Sequence, residues 1–143
     1  MKFSVFVVLL MLGIVAGCSG ETEGGLETHP VTGVVTYLGK PEAEVVVTFH
    51  AQDEEGVNAQ AVTNQAGEFT VFTSFDMGKR EQEGMVAGRY RVTAIKTDKL
   101  DFQSGQMVPK DLLPARYRKP QTSGLEETIV AGEKHHLILD LKK

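Results

Sequence analysis

EVVVTFH, residues Glu44–His50, decides the fold. Val45, Val47 and Phe49 fall on one side of an extended chain, and Val46, Thr48 and His50 on the other. That is the period-two pattern of a strand with one face in a core. Upstream, Val31–Leu38 (VTGVVTYL) is strand-like and stops at Gly39-Lys40-Pro41, residues suited to a tight bend. Downstream, Asp53-Glu54-Glu55-Gly56 reads as a turn and Val57–Thr63 as a weaker third strand. A second tight turn follows at Asn64-Gln65-Ala66-Gly67, with Gly67 suited to positive φ. Glu68–Phe75 (EFTVFTSF) is expected to be one strand with Phe69, Val71 and Thr73 inward, and Asp76–Val86 a polar loop.

The alternation resumes in Arg89–Ile95 (RYRVTAI), where Tyr90, Val92 and Ala94 share a face. It continues in Leu125–Val130 and in Lys134–Leu141 (KHHLILDL), where Leu137, Leu139 and Leu141 do. About seven short strands separated by turn signals predict an all-β chain, an antiparallel β-sandwich. One stretch breaks the rhythm. Residues 96–124 are too long for a hairpin loop, and Leu112, Leu113 and Tyr117 inside it look like anchors onto the sandwich edge. The stretch reads either as a packed connection or as a binding loop.

The chain has 143 residues, enough for one domain with a real core. Its 15 basic and 19 acidic residues give a net charge of −4. Nucleic-acid binding needs a basic patch or stripe, so this balance argues against it. The single cysteine allows no internal disulfide and requires its own explanation in an exported chain.

That explanation lies at the N-terminus. Met1-Lys2 is a short positive segment, and Phe3–Ala16 is a nearly unbroken apolar run of 14 residues. Such a run suits export and is short for a membrane-spanning helix, which needs about 20. Val15-Ala16-Gly17-Cys18 then resembles the lipobox of bacterial lipoproteins. The resemblance implies cleavage between Gly17 and Cys18, diacylglycerol on the Cys18 sulfur and palmitate-type acyl chains. One acyl chain holds a membrane marginally and two or three hold it stably. Residues 1–17 are therefore expected to be a lipoprotein signal peptide, 18–30 the lipidated end and a flexible tether, and 31–143 the domain. The polar tether SGETEGGLETHP (Ser19–Pro30) spans roughly 20 Å root-mean-square. Ser19, rather than Asp, after the cysteine points to the outer membrane of a two-membrane envelope, with the domain in the periplasm or at the cell surface.

Three stretches together resemble carboxypeptidase regulatory-like domains. They are Gly33-Val-Val-Thr-Tyr-Leu-Gly-Lys-Pro41 with Val45-Val-Val-Thr-Phe49, Thr63-Asn-Gln-Ala-Gly-Glu-Phe69, and Ala87-Gly-Arg-Tyr-Arg-Val92. The tail, with Leu113-Pro-Ala-Arg-Tyr117, Thr122-Ser-Gly-Leu125 and Gly132, looks like small lipoproteins of planctomycete-type bacteria. The resemblance covers about residues 31–141. It implies a transthyretin-like, seven-stranded sandwich and a non-catalytic accessory role. Two positions depart from the pattern. Glu44 stands where the family has a small residue, and Asn64-Gln65 replaces its Asp-bearing turn.

The residues suggest little chemistry. His29 falls in the tether. His135 and His136 are adjacent on a strand and point to opposite faces, which separates them as ligands. A zinc site needs three or four converging ligands, and no metal or other cofactor is expected. Asp53, Glu54 and Glu55, like Asp98 and Asp101, read as solvated turns. Lys79-Arg80 and the Arg89/Arg91 pair read as solvated charges or a small anion patch. No Gly-x-Ser-x-Gly elbow occurs. The C-terminal motif of the transthyretin-like hydrolases is also missing from Asp140-Leu-Lys-Lys143, so no catalytic residue is assigned.

The expected function is a non-enzymatic, membrane-anchored envelope lipoprotein with a structural or protein-interaction module. A carbohydrate-binding module is the alternative, with Tyr37, Phe72, Phe75, Phe102 and Tyr117 as candidate stacking residues. The expected partners are the membrane, through lipid on Cys18, and an envelope protein or a glycan.

Overall fold

Val45, Val47 and Phe49 are fully buried, as the alternation of EVVVTFH requires. The computed structural model describes residues 26–99, 103–105 and 108–143. The expected signal peptide, Gly17, Cys18, most of the tether, Asp101 and Phe102 lie outside the described residues.

Twelve strand segments form, with no α-helix among the described residues. They are β1 (Thr28–His29), β2 (Val31–Tyr37), β3 (Lys40–Pro41), β4 (Val46–Ala51), β5 (Ala59–Val62) and β6 (Glu68–Thr70). Then come β7 (Phe72–Phe75), β8 (Arg80–Glu83), β9 (Met85–Val86), β10 (Gly88–Ile95), β11 (Leu125–Ile129) and β12 (His135–Leu141). One sheet runs β11-β10-β4-β5-β7-β8, antiparallel throughout. The second runs β12-β2-β3, with β6 also on β2, and β1 pairs with β9 as a separate two-stranded ribbon. The inner faces share one core. Val31 and Val35 of β2, Phe69 of β6 and Leu137, Leu139 and Leu141 of β12 bury with Val47, Phe49, Tyr90 and Val92 of the larger sheet. Phe49 joins the layers, its ring centroid 6.3 Å from Phe69 and 6.5 Å from Tyr90. The result is a sandwich-like, all-β body.

The structure corrects the expected architecture in four places. The smaller sheet is not wholly antiparallel, because β12 pairs with β2 in parallel, from His135↔Val31 to Leu141↔Tyr37. Alternation reports which face is buried but carries no strand direction. Glu68–Phe75 is not one strand. β6 pairs with β2 in one sheet and β7 with β5 in the other. Val71 makes the switch, donating its N–H to Val31 and accepting at its carbonyl from Gly84. Its side chain stays buried, so the inward pattern Phe69, Val71, Thr73 survives the change of sheet.

Third, Asp76–Val86 is not a plain loop. Arg80–Glu83 forms β8, a fully exposed edge strand paired with β7. All four residues of this edge strand are exposed, so it leaves no hydrophobic period to read. Fourth, the C-terminal end of the expected tether is structured. Thr28 and His29 pair with Val86 and Met85, and His29 is buried. Its Nδ1 accepts the Gly132 N–H at 3.2 Å.

The 96–124 stretch packs as a connection where it is described. Leu113 and Tyr117 are buried, whereas Leu112 is 45% exposed and is not an anchor. The Tyr117 hydroxyl accepts the Lys142 N–H at 2.8 Å and ties the short 3₁₀ turn Ala115–Arg118 to the end of β12. The departure at Glu44 also has a structural counterpart: its φ is +58°, the left-handed region in which a side chain is disfavoured.

Candidate binding groove

Where β6 and β7 part company, the sandwich opens into a groove of about 710 Å³. Its walls come from both sheets. Thr32 and Gly33 of β2, His136 of β12 and Glu68 and Thr70 of β6 lie on one side. Gln60 and Val62 of β5, Phe72 and Ser74 of β7 and Glu81 of β8 lie on the other. Gly33 lets the Phe69 ring lie close over β2 beneath it, since a Cβ there would lie 2.4 Å from that ring. Phe72 is 42% exposed and Val62 is 60% exposed, so the groove has an apolar patch edged by amide, hydroxyl and carboxylate groups. This mix suits a ligand with one apolar face and several hydroxyl or amide groups.

Local hydrogen bonds hold the rim. Asn64 Oδ1 accepts the N–H groups of Ala66 and Glu68 at 2.9 and 3.0 Å, the side chain closing its own turn. The Gly67 N–H donates to the Asn64 carbonyl at 2.9 Å with φ +74°, as the sequence anticipated. His136 Nδ1 lies 3.1 Å from the Thr32 hydroxyl.

Four of the five candidate aromatics lie among the described residues and differ in placement. Phe72 faces the groove. Tyr37 packs partly buried against the core, and Tyr117 is buried. Phe75 is half-buried, with the Arg80 guanidinium 5.9 Å from its ring centroid. Phe102 lies outside the described residues. Periodicity gave no means of ranking them, because the groove arises from the change of sheet.

The remaining chemistry-bearing residues are dispersed into local pairs. His50 Nε2 sits 3.0 Å from the Thr93 hydroxyl, and burial pushes its pKa down. His135 Nε2 accepts the Val130 N–H at 3.1 Å. Among the described residues no three His, Cys, Asp or Glu side chains converge as a metal site.

Asp53 is more than a solvated turn residue. Its carboxylate accepts the Arg89 N–H at 2.9 Å and the Arg89 guanidinium at 3.1 Å. The backbone hydrogen bond, then the side-chain one, hold its pKa below the usual carboxylate range. Arg91 reaches Glu126 at 3.4 Å and Arg80 reaches Asp76 at 2.7 Å, so all three arginines of the expected anion patch already face carboxylates.

Beside them, partial burial raises the Glu127 pKa, against the attraction of His135. A raised folded-state value means stability is lost as pH rises from the ordinary glutamate range through it. Glu127→Gln is therefore expected to raise the unfolding midpoint at neutral pH. The gain should vanish at pH 3, where both states carry a neutral carboxyl. Urea titrations at the two pH values check the sign.

Compared with protein-family models, with curated proteins and with solved structures, the chain finds no match in any of the three.

Proposed function

We propose that the chain is a membrane-anchored envelope lipoprotein whose sandwich-like domain is a non-enzymatic interaction module. The observation that carries this reading is Val15-Ala16-Gly17-Cys18 at the end of a 14-residue apolar run, with the only cysteine of the chain in the lipidated position. A thiol with no second cysteine to pair with is free for a thioether to lipid. The first pairing strand begins at Thr28, so residues 19–27 are left as a short tether between bilayer and domain. The order of the Gly33–Phe49, Thr63–Phe69 and Ala87–Val92 motifs supports a variant of the carboxypeptidase regulatory-like, transthyretin-like sandwich.

The test is fractionation of the full chain and of Cys18→Ala, with mass spectrometry of the N-terminal peptide. The parent is expected in the membrane fraction, its N-terminal peptide starting at an acylated Cys18. Cys18→Ala is expected to lose the acyl mass and that processing. An unmodified Cys18 in the soluble fraction of the parent would overturn the reading.

A second reading is supported by the groove. Phe72 lies exposed among Gln60, Ser74, Glu81 and His136, a setting that suits a glycan with a sugar face on the ring. Phe72→Ala should abolish any signal on a glycan array while leaving the thermal midpoint within a few degrees. No signal from the parent chain disposes of this reading and leaves the anchor untouched.

A further inference from the structure

The two sheets end in strands that differ sharply in how they treat their open edge. An open edge is a template for another strand, and proteins blunt it with charge, proline, brevity or a bulge. β8 is four residues long and reads Arg-Glu-Gln-Glu, all exposed. β11 carries Glu126 and Glu127. On the far side of β2 the sheet ends in β3, two residues including Pro41, and in β6, three residues. β12 has only one of these devices, the single charge of Asp140 near its end, which already accepts the Thr36 hydroxyl at 2.9 Å and lies 3.7 Å from Lys142 Nζ. It is seven residues long, contains no lysine, arginine or proline, and presents Ile138 at 68% exposure in its middle.

The register identifies which backbone groups are open. The His135 N–H donates to the Pro30 carbonyl and the Leu141 carbonyl accepts from the Leu38 N–H. The odd-numbered residues of β12 therefore face β2. His136, Ile138 and Asp140 turn their N–H and C=O groups away from it. Among the described residues no strand pairs with that side. The run ends at Lys142, the next outward residue, whose N–H and C=O are both taken by the Tyr117 hydroxyl, at 2.8 and 3.2 Å.

We infer that the open edge of β12 pairs with β12 of a second copy of this chain, antiparallel about a twofold axis through Ile138. The edge is self-complementary in that register, which centres its exposed isoleucine. With Ile138 opposite Ile138, His136 falls opposite Asp140 of the other copy, and Asp140 opposite its His136. All three outward residues then sit in the pair type that exchanges two backbone hydrogen bonds, about six bonds in all. On the exposed face, imidazole meets carboxylate on either side of an apolar centre. Val34, the half-buried neighbour of Ile138 on β2, extends that centre into each copy. A shift by two residues separates the two isoleucines and sets Ile138 opposite His136 or Asp140 instead. One short shared edge buries less than a standard interface of about 1,600 Å², so the association is concentration-dependent and is best trapped covalently. The inference does not depend on the lipid anchor.

Cysteine cross-linking of the full chain reads out the register. Ile138→Cys places two thiols on strands whose Cα atoms are about 5.5 Å apart, within the disulfide range of about 4.4–6.8 Å. His136→Cys or Asp140→Cys alone leaves its twin four residues away, roughly 13 Å along the strand. The His136→Cys/Asp140→Cys double variant brings unlike positions face to face. Under mild oxidation, Ile138→Cys and the double variant are expected to give a dimer band well above that of the parent chain with Cys18 alone. Both single variants and Val62→Cys, an exposed site on β5, should stay at the parent level. All these positions are exposed, so the core is undisturbed. Absence of dimer at Ile138→Cys overturns the proposal, as it would if the edge took a strand from a different protein. Equal cross-linking at Val62→Cys or in the single variants overturns it as well, since random collision would then account for the bands.

Discussion

Phe49→Ala is expected to remove about 3–5 kcal/mol of stability, the usual loss for a large aromatic deleted from a core. The side chain is fully buried in β4 and is the contact point of both layers, against Phe69 from the smaller sheet and Tyr90 edge-on from its own. Removing it leaves a void that neither sheet can close without changing the spacing of the sandwich. For a domain whose total stability is on the order of 5–15 kcal/mol, this is a large share. Urea unfolding should show a much lower midpoint with little change in slope. Phe72→Ala serves as the control, because the same deletion at an exposed site leaves no cavity. A midpoint for Phe49→Ala within the error of that control would show that the two layers do not meet at Phe49.

Gly33→Ala is the second large effect, and it comes from overpacking. A Cβ at this position would lie 2.4 Å from Phe69 Cζ and 2.5 Å from the Leu137 carbonyl oxygen. The first neighbour is the far end of a side chain and can give way. The second is backbone of β12, and moving it strains the parallel pairing with β2. An expected loss of about 2–3 kcal/mol follows from the cost of extra volume in a packed site. Combining Gly33→Ala with Phe69→Leu should recover part of that loss, a coupling that independent sites would not show. Full additivity in that double-mutant cycle would mean that the Phe69 ring does not cover Gly33.

The reading of Gly33 illustrates what a sequence conveys. In VTGVVTYL it appears as a glycine inside a strand, a known mark of close approach by another group. The sequence does not say which group approaches. That group is Phe69, distant along the chain, whose ring is laid over β2 by the pairing Gly33↔Phe69. The groove has the same origin. Each of its residues was visible, and Phe72 was one of five aromatic candidates, but only the departure of β7 to the other sheet exposes it beside Gln60 and His136. Asp53 looked like a solvated acid because its partner, the Arg89 N–H, lies across the fold.

By itself the sequence determined the all-β class and the inward residues of β4, β10 and β12. It also determined the turn at Asn64–Gly67. These follow from alternation and local backbone chemistry, which act over a few residues. It likewise contains the whole case for Cys18 as a lipid site, since that case rests on a contiguous pattern. Tertiary structure decided the parallel pairing of β12 with β2, the division of Glu68–Phe75 between two sheets, the charged edge strand at Arg80–Glu83 and the burial of His29. Each is a choice of partner strand. Partner choice depends on register and direction between segments far apart in the chain, which hydrophobic period does not encode. The open edge of β12 belongs to the same class: its alternation was legible from the start, and its unpaired side became visible only once β2 had taken the other.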